Sequence, residues 1–334
     1  MKRTADTLFV AIILCAMLLP ATGLLAAKVR SERAGLAAYM EDNLSFRPEL
    51  VTLHAKASQR LFSQTGSGQV LLGREGWLFF ADTLPDYFRR NVMTEAELDK
   101  VTENIITLSE SLADRGIGFT FLCAPNKNTV YPEYMPWYAV SPGGPGNLQR
   151  LQEALVKAGV DVLDAAAILR SAKSEGQLYL KTDTHWNARG ALLVYRALME
   201  RLTAGQDGAA YDPYDMPFDE PAPVYGDLSV LYLPLSKITE QDALPAIERR
   251  YVSDGVIRSR ADMLIRTRSD GNGLSVLVLR DSFGEALFPY LANNVGRLVF
   301  ARGAQADETL LEREAVSHVV LQIAERNLPT LIGN

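Results

Sequence analysis

Hydrophobic positions along this chain form short continuous runs and longer helical repeats, which alternate from about residue 70 onward. The first long repeat follows Thr94 and Glu97, whose spacing is that of a capping box at a helix start. Its apolar members all fall on one helix face: Leu98, Val101, Ile105, Leu108 and Leu112. The pattern therefore predicts a helix that ends near Gly116, where the repeat stops.

Continuous apolar runs predict buried strands between the helical repeats. Phe119 to Ala124 and Leu274 to Leu279 have the length and composition of strands that are covered on both faces. Further strands are predicted at 70–80, 160–163, 297–301 and 318–323, and further helices at 148–158, 188–202 and 283–291, where Pro289 is expected to kink or shorten the helix. This alternation predicts an α/β fold with a mostly parallel central sheet flanked by helices.

The pattern also divides the chain into segments. Residues 29–68 mix charge with a helical apolar pattern and are predicted to be a helical lead-in or linker. Residues 69–334 carry the α/β alternation and are predicted to be the main domain. Within that domain, residues 204–272 are rich in Pro, Asp and Tyr and weakly periodic, which predicts a loop-rich insertion over the site.

Residues 1–28 are predicted to be an export segment outside the fold. Lys2 and Arg3 precede an apolar run over residues 8–27, long enough to cross the inner membrane as an anchor helix. The alternative is a signal peptide cleaved near Ala21-Thr22-Gly23. Because the apolar run continues past that point, the anchor is favoured. We expect a periplasmic protein in either case, anchored to the membrane or, after cleavage, soluble.

Composition and charge narrow the function further. The chain has 334 residues and is 48% hydrophobic, so it can bury a substantial core. Its net charge of −6 argues against general nucleic-acid binding. Two cysteines, Cys15 and Cys123, cannot build a disulfide framework, and no Cys and His cluster with metal-ligand spacing is present. We therefore predict no metal and no cofactor.

Two short motifs carry candidate chemistry. Of the three histidines, only His185 has an aspartate two residues before it, Asp183, and a tryptophan directly after it, Trp186. Ser282 follows a predicted buried strand, at the carboxyl edge of the sheet where α/β folds place their sites. These residue types predict a nucleophilic serine with a histidine base and an orienting carboxylate. The alternatives are a helix cap at Asp281-Ser282, a structural histidine and a packing tryptophan.

At these motifs the sequence resembles the alginate O-acetyltransferase family that contains AlgJ and AlgX. The resemblance runs from about residue 45 to the C-terminus and is most specific at Asp183-Thr184-His185-Trp186. The other similar stretches are Tyr179–Asn187 around that motif, Gly76–Phe79, Ala124–Lys127, Tyr131–Tyr134, Gly226–Leu228 and Arg280–Phe283. The Asp-x-His motif precedes the serine here, which matches the permuted motif order of this family.

The resemblance implies an SGNH-hydrolase-like domain that transfers acetyl groups to hydroxyls of an extracellular or cell-surface polysaccharide. It implies that Ser282 forms an acetyl-serine, that His185 is the base and that Asp183 orients His185. A membrane-bound O-acyltransferase is the implied partner that supplies the acetyl group. Two alternatives remain: a polysaccharide acetylesterase with the same three residues, and a non-catalytic carbohydrate-binding component of an exopolysaccharide export complex.

Further residues are candidates for oxyanion or substrate contacts. Asn126 and Lys127 follow a predicted strand and could face the site, or form a polar turn in which Asn126 is a local cap. Tyr131 belongs to an aromatic group with Tyr134, Trp137 and Tyr138, which suits sugar stacking or core packing. Trp186 is a candidate contact because it adjoins His185. Arg258 and Arg260 begin a basic stretch that could attract an anionic polymer or form a solvated strand face.

Overall fold

The computed structural model describes residues 49, 51–53, 68–206, 210–214, 221–235, 238–243, 247–305 and 308–333. The chain divides into two compact units. The smaller comprises residues 1–68 and 229–237, and within it the Leu235 amide donates to Thr52 Oγ1 at 3.4 Å. The larger comprises residues 69–228 and 238–334 and contains the two sequence motifs.

Strands and helices of the described residues are as follows. The strands are β1 Val70–Leu72, β2 Leu78–Phe80, β3 Gly118–Ala124, β4 Val162–Leu163, β5 Ala222–Val224, β6 Glu240–Asp242, β7 Tyr251–Ser253, β8 Leu264–Ser269, β9 Asn272–Arg280, β10 Val295–Arg302 and β11 His318–Ala324. The α-helices are α1 Leu84–Tyr87, α2 Glu95–Ala113, α3 Lys127–Val130, α4 Asn147–Lys157, α5 Ala165–Ala172, α6 Ala188–Thr203, α7 Asp227–Tyr232, α8 Phe288–Asn294 and α9 Glu308–Glu314. Six 3-10 segments complete them: Arg74–Gly76, Ala81–Thr83, Pro132–Tyr134, Lys173–Glu175, Ser282–Ala286 and Glu325–Gly333.

A seven-stranded sheet in the order β4-β3-β11-β9-β10-β8-β7 forms the centre of the larger unit. The pairings from β4 through to β10 are parallel, whereas β8 and β7 add in antiparallel orientation. The prediction of a mostly parallel sheet is confirmed, with a mixed edge. Since the carboxyl ends of parallel strands meet at one edge, the residues after β3, β9 and β11 come together there.

The structure differs from the predicted loop-rich segment 204–272, because β7 and β8 of that segment belong to the central sheet. In β8, Ile265 and Thr267 are buried and alternate with the charged Arg266 and Arg268. The buried side of β8 has one apolar residue and one threonine, so its period-2 alternation is too weak to predict a strand from the sequence.

Hydrophobic residues cover both faces of the sheet because side chains alternate along each strand. In β9, Val276 and Val278 join one core cluster, while Leu277 and Leu279 join the other. The predicted face of α2 packs into the second cluster, and its capping box at Thr94 and Glu97 is present. The result is a sheet between two helical layers.

Pro289 marks the start of a shorter α-helix, as the second of the two expected effects, and does not kink a continuous helix over 283–291. A 3-10 segment, Ser282–Ala286, follows β9, and α8 then begins at Phe288 with Pro289 in its first turn. Proline is well tolerated there because first-turn amides have no helical partner.

The predicted export segment, residues 1–28, lies outside the described residues, as does most of the lead-in at 29–68. Residues 51–53 of that lead-in are helical. Among the helices that are described, none has both the length and the apolar character required to cross a bilayer.

Candidate active site

The two sequence motifs meet at the carboxyl edge of the sheet. His185 Nε2 lies 2.9 Å from Ser282 Oγ, and His185 Nδ1 lies 2.7 Å from Asp183 Oδ1. A neutral imidazole that donates from Nδ1 to the carboxylate can accept the serine proton at Nε2. The side chains of His185 and Asp183 are 26% and 15% exposed, so the group is partly shielded but open to a ligand.

Asp183 and His185 project to the same side because residues 180–185 form a tight loop. Tyr179 and Trp186 close the loop with an antiparallel bridge. Asp183 Oδ1 also accepts from the His185 backbone amide at 2.9 Å, which fixes the carboxylate beside the ring. Asn187 then caps α6 by accepting from the Gly190 amide, so the motif ends directly at a helix start.

The Ser282 turn is held by the neighbouring Asp281. Its Oδ1 accepts from the Phe283 amide and from Gln322 Nε2, and its Oδ2 accepts from the Ala324 amide and from Asn327 Nδ2. Asp281 therefore provides the cap, and the Ser282 hydroxyl is left to face His185. The Phe283 amide is engaged by this cap.

Trp186 connects the two motifs on their buried side. It is buried, its Nε1 donates to the Phe283 carbonyl at 3.1 Å, and its ring packs edge-on against Phe283 at 5.2 Å. Trp186 and Ala286 also line a cavity of about 370 Å³ in the larger unit. The side chain therefore combines core packing with one wall of a cavity, whose lining does not include Asp183, His185 or Ser282.

Lys127 and Asn126 lie behind the candidate site in buried positions. Lys127 Nζ donates to the carbonyls of Leu180, Lys181 and Asp183, at 2.9, 3.0 and 2.5 Å. Burial lowers the pKa of Lys127 to about 7, although nearby carboxylates oppose the shift. Lys127 is thus committed to the loop that carries Asp183, which leaves it no role as a direct substrate contact.

Asn126 holds the end of β3 and does not cap α3 with its side chain, contrary to the local-cap alternative. Its Nδ2 donates to Asp86 at 3.2 Å, and its backbone amide donates to Glu325 Oε2 at 2.7 Å. Glu325 also accepts from Thr129 Oγ1. Burial raises the pKa of Glu325 to about 7.

Tyr131 lies in the core and cannot offer a face to a sugar. It is 4% exposed, its ring lies 4.6 Å from that of Trp77, and its hydroxyl accepts from the Leu178 amide. Trp137 and Tyr138 are instead exposed. The four aromatic residues therefore do not form one platform, because they divide between core and surface.

The basic stretch is also divided. Arg258 and Arg260 are exposed in the loop between β7 and β8, and Arg260 lines the cavity beside Trp186. Arg266 pairs with Glu314, and Arg268 pairs with Asp254. Since the two strand residues have acidic partners, the stretch is not a continuous cationic strip.

Three charged residues near the loop were not selected from the sequence: Asp227, Glu240 and Arg326. Asp227 accepts from the Thr184 amide at 2.7 Å, and Glu240 accepts from the Lys181 and Thr182 amides at 2.7 and 2.8 Å. The guanidinium of Arg326 lies over the rings of Phe283 and Phe80. Asp227 stood in the recognisable Gly226-Asp227-Leu228 stretch, but no pattern linked any of them to His185.

Charges around the imidazole favour its protonated form. Burial opposes the charged ring, but the hydrogen bond to Asp183 and the charges of Asp183 and Asp227 raise the pKa of His185, with Arg326 acting against them. Burial likewise works against the charged form of Asp183, but its hydrogen bond to His185 and the His185 charge hold its pKa below its ordinary value. The pair is therefore poised for His185 to accept a proton.

Ligand atoms of Asp183, His185 and Asp227 lie within 4.8 Å of one another, the spacing of a possible metal site. Both imidazole nitrogens, however, already have partners, Asp183 at Nδ1 and Ser282 at Nε2. We therefore assign the cluster to a hydrogen-bond chain. Such a chain can activate a hydroxyl for attack on an ester carbonyl.

Comparisons with known proteins identify the family to which this fold belongs. Residues 70–309 match the family described as SGNH hydrolase-like domain, acetyltransferase AlgX. The probable alginate O-acetylase AlgJ of Pseudomonas syringae pv. tomato is 27% identical over 207 residues, which cover 60% of this chain and 50% of that protein. AlgJ of Pseudomonas putida is 29% identical over 56% of this chain and 47% of that protein. The chain thus spans about half the length of these relatives.

Solved structures share the fold at lower identity. PatB1 of Bacillus cereus superposes with a TM-score of 0.55 at 17% identity, covering 78% of this chain and 96% of that structure. AlgX of Pseudomonas aeruginosa gives 0.53 at 16% identity, covering 83% and 69%. The O-acetyltransferase domain of Pseudomonas putida AlgJ gives 0.50 at 22% identity, covering 78% and 92%. These likenesses show the fold, and the match over residues 70–309 shows that the chain belongs to the AlgX family of SGNH-hydrolase-like acetyltransferase domains.

Proposed function

We propose that this protein transfers acetyl groups to hydroxyls of a polysaccharide through an acetyl-serine at Ser282. The observation that carries the proposal is the hydrogen-bond chain from Asp183 through His185 to Ser282, with distances of 2.7 and 2.9 Å. Membership of an acetyltransferase family supports the choice of acyl group. The AlgJ relatives, which are probable alginate O-acetylases, support a polysaccharide acceptor.

In the first half-reaction, Ser282 Oγ attacks the carbonyl carbon of an acetyl donor while His185 Nε2 takes the hydroxyl proton. The tetrahedral intermediate collapses, the bond to the donor oxygen breaks, and His185 returns the proton to that leaving oxygen. Asp183 holds the ring in the tautomer that accepts at Nε2 and stabilises the imidazolium. The product is an ester between the acetyl group and Ser282.

In the second half-reaction, an acceptor hydroxyl loses its proton to His185 and attacks the acetyl-serine. The bond to Ser282 Oγ then breaks, and Ser282 regains its proton from His185. The partial exposure of the His185 side chain, 26%, supports access of an acceptor hydroxyl to the acetyl-serine. Water at the same position would give hydrolysis instead.

Export belongs to the same proposal. The apolar run at residues 8–27 supports a periplasmic location, with the chain anchored to the inner membrane or, if cleaved, soluble. A membrane-bound O-acyltransferase that passes acetyl groups across the membrane is the partner that this location requires. Fusing a reporter that is active only in the periplasm after residue 334 tests the location, and an inactive reporter on an intact full-length fusion would contradict it.

The Ser282→Ala variant tests the nucleophile. With 4-nitrophenyl acetate as donor, we expect turnover to fall by about a thousandfold or more, because no acetyl-enzyme can form. Mass spectrometry of the parent protein should find an acetyl adduct on the peptide that contains Ser282, and the variant should lack it. Ser171→Ala, a surface hydroxyl of α5, is the matched control and should keep parent activity.

An oligosaccharide acceptor separates transfer from hydrolysis. Acetylated sugar in excess of free acetate supports the transferase, whereas free acetate alone would indicate an acetylesterase. Oligosaccharide binding without any ester turnover in the parent protein would overturn both in favour of a carbohydrate-binding component. Full activity in the Ser282→Ala variant would remove Ser282 from the reaction.

A further inference from the structure

A second carboxylate, that of Asp227, lies beside the same imidazole nitrogen as Asp183. Asp227 Oδ2 is 3.8 Å from His185 Nδ1, compared with 2.7 Å for Asp183 Oδ1. Two unit negative charges therefore flank the nitrogen that carries positive charge once His185 is protonated. At such distances each charge contributes measurably even near solvent.

Asp227 and the Asp183 loop are joined by a reciprocal pair of hydrogen bonds. The Asp227 backbone amide donates to Asp183 Oδ2 at 2.9 Å, while the Thr184 amide donates to Asp227 Oδ1 at 2.7 Å. Both oxygens of Asp183 are thus satisfied, Oδ1 by His185 and Oδ2 by Asp227. The Asp227 backbone amide consequently helps to orient Asp183, the carboxylate that in turn orients His185.

The preceding glycine makes this close approach possible. A Cβ at position 226 would lie 2.0 Å from the Thr182 carbonyl oxygen, far inside contact distance. Only a residue without a side chain lets the chain before α7 lie against the Asp183 loop. The close approach of the two segments therefore depends on the absence of a side chain at Gly226.

We propose that Asp227 is a positioning residue of the acetyl-transfer site, which orients Asp183 through its backbone amide and stabilises the His185 imidazolium with its carboxylate. This inference rests on the proposed function of Ser282 and His185. It assigns the two aspartates different tasks: Asp183 selects the tautomer, and Asp227 adds charge without a direct hydrogen bond to the ring.

The charges that face this group come from several elements. Asp183 shares the loop with His185, Asp227 begins α7, and Arg326 follows β11 with a charge that opposes protonation of His185. Lys127 of α3 faces both carboxylates from behind the loop. Burial, followed by repulsion from Asp183, raises the pKa of Asp227 itself, while His185 works against that rise.

Asp227→Asn tests the inference cleanly because it removes the charge and keeps the contacts. The variant retains the backbone amide that donates to Asp183, and the asparagine oxygen can still accept from the Thr184 amide. We expect the pKa of His185, followed by NMR of the imidazole ring in the full-length protein, to fall by about half to one unit. The acid limb of ester turnover should move to lower pH by the same amount.

The maximal rate should fall, even though the acid limb extends to lower pH. We expect kcat for 4-nitrophenyl acetate to fall about tenfold at high pH with KM within about twofold, because the imidazolium is stabilised less. Asp227→Glu should recover part of the loss by restoring the charge. Asp270→Asn, an exposed aspartate between β8 and β9, is the control for a simple change of net charge.

An unchanged pKa of His185 in folded Asp227→Asn protein would overturn the inference, as would an equal loss in Asp227→Glu. The proposed function fails separately, if Ser282→Ala retains turnover. Adding Asp183→Asn to Asp227→Asn should lower kcat by less than the product of the single effects, since both act on one imidazole. Strictly independent effects would also count against a shared role.

Discussion

At the scale of single residues, one buried ammonium group organises the loop that carries Asp183. Lys127 Nζ donates to three carbonyls of that loop and lies 5.7 Å from the Trp77 ring and 5.6 Å from the Phe79 ring. Burying a cation is costly unless its donors are satisfied, and here all three ammonium hydrogens have an acceptor. The charge is therefore used to fix backbone geometry.

Lys127→Met removes the ammonium group that holds the loop and keeps a side chain of similar length. We expect ester turnover to fall roughly ten- to hundredfold, because a small misplacement of Asp183 and His185 is enough for such a loss. The free energy of unfolding should change by less than about 2 kcal/mol, because removing a buried charge offsets the lost hydrogen bonds. Kinetics and thermal melting measure the two effects.

Lys173→Met is the matched control for this residue. Lys173 also donates to a backbone carbonyl, that of Val130, and pairs with Glu133, but it lies outside the loop of Asp183. Its loss should leave turnover near the parent level. Equal losses in the two lysine variants would show that general destabilisation, and not the loop, is responsible.

At the scale of elements, the site is a contact between loops at one edge of the sheet. The loop before α6 supplies Asp183 and His185, the turn after β9 supplies Ser282, and the start of α7 supplies Asp227. Glu240 of β6 holds the first loop by accepting from the Lys181 and Thr182 amides. Rigid strands thus position loops that carry the chemistry.

Gly226→Ala probes the closest of these loop contacts. Its Cβ would meet the Thr182 carbonyl at 2.0 Å, so one of the two loops must move. We expect turnover to fall at least about tenfold, since the displacement reaches both Asp183 and Asp227. Gly273→Ala, where the added Cβ meets nothing within 4 Å, is the control and should keep activity. Unchanged turnover in Gly226→Ala would show that the close approach is not required.

At the scale of the whole molecule, the larger unit buries ionisable groups next to the site as well as within it. Glu325, at the end of β11, has a pKa of about 7 because burial disfavours its charge. Burial lowers the pKa of His318, at the start of β11, to about 4 because it disfavours the imidazolium. These groups link the stability of the fold to pH.

Glu325→Gln should reveal one part of that linkage. The pKa of Glu325 is higher in the folded than in the unfolded protein, so its contribution is present below about 4.5 and is lost as pH rises through about 7. We expect the variant to gain stability relative to the parent over that window, by up to about 3 kcal/mol. Denaturant unfolding at several pH values measures the difference.

The amide can still accept from Asn126 and Thr129, so the substitution isolates the charge. Glu110→Gln, on the exposed face of α2, is the control for the loss of one negative charge away from β11. A constant difference in Glu325→Gln would mean that Glu325 ionises normally in the folded protein. The opposite slope expected from His318 is common to both proteins and cancels.

Much of the sheet and helix pattern could be predicted because burial imposes periodicity. The α2 face, its capping box and the runs in β3 and β9 all follow from local spacing. The strand β8 was missed because its buried side shows only Ile265 and Thr267 between charges. Tyr131 was ambiguous because aromatic residues suit both a core and a sugar face, and only its burial decides.

The sequence by itself determined the α/β class and the two motifs, since local spacing and residue type are properties of the chain. It also singled out His185 and Ser282, because their residue types and flanking motifs are those of a base and a nucleophile. Only the tertiary structure decided that the two motifs meet at 2.9 Å and that Lys127 faces backbone carbonyls. It alone brought Asp227 beside His185, because contacts between loops far apart in the chain depend on the sheet that brings their ends together.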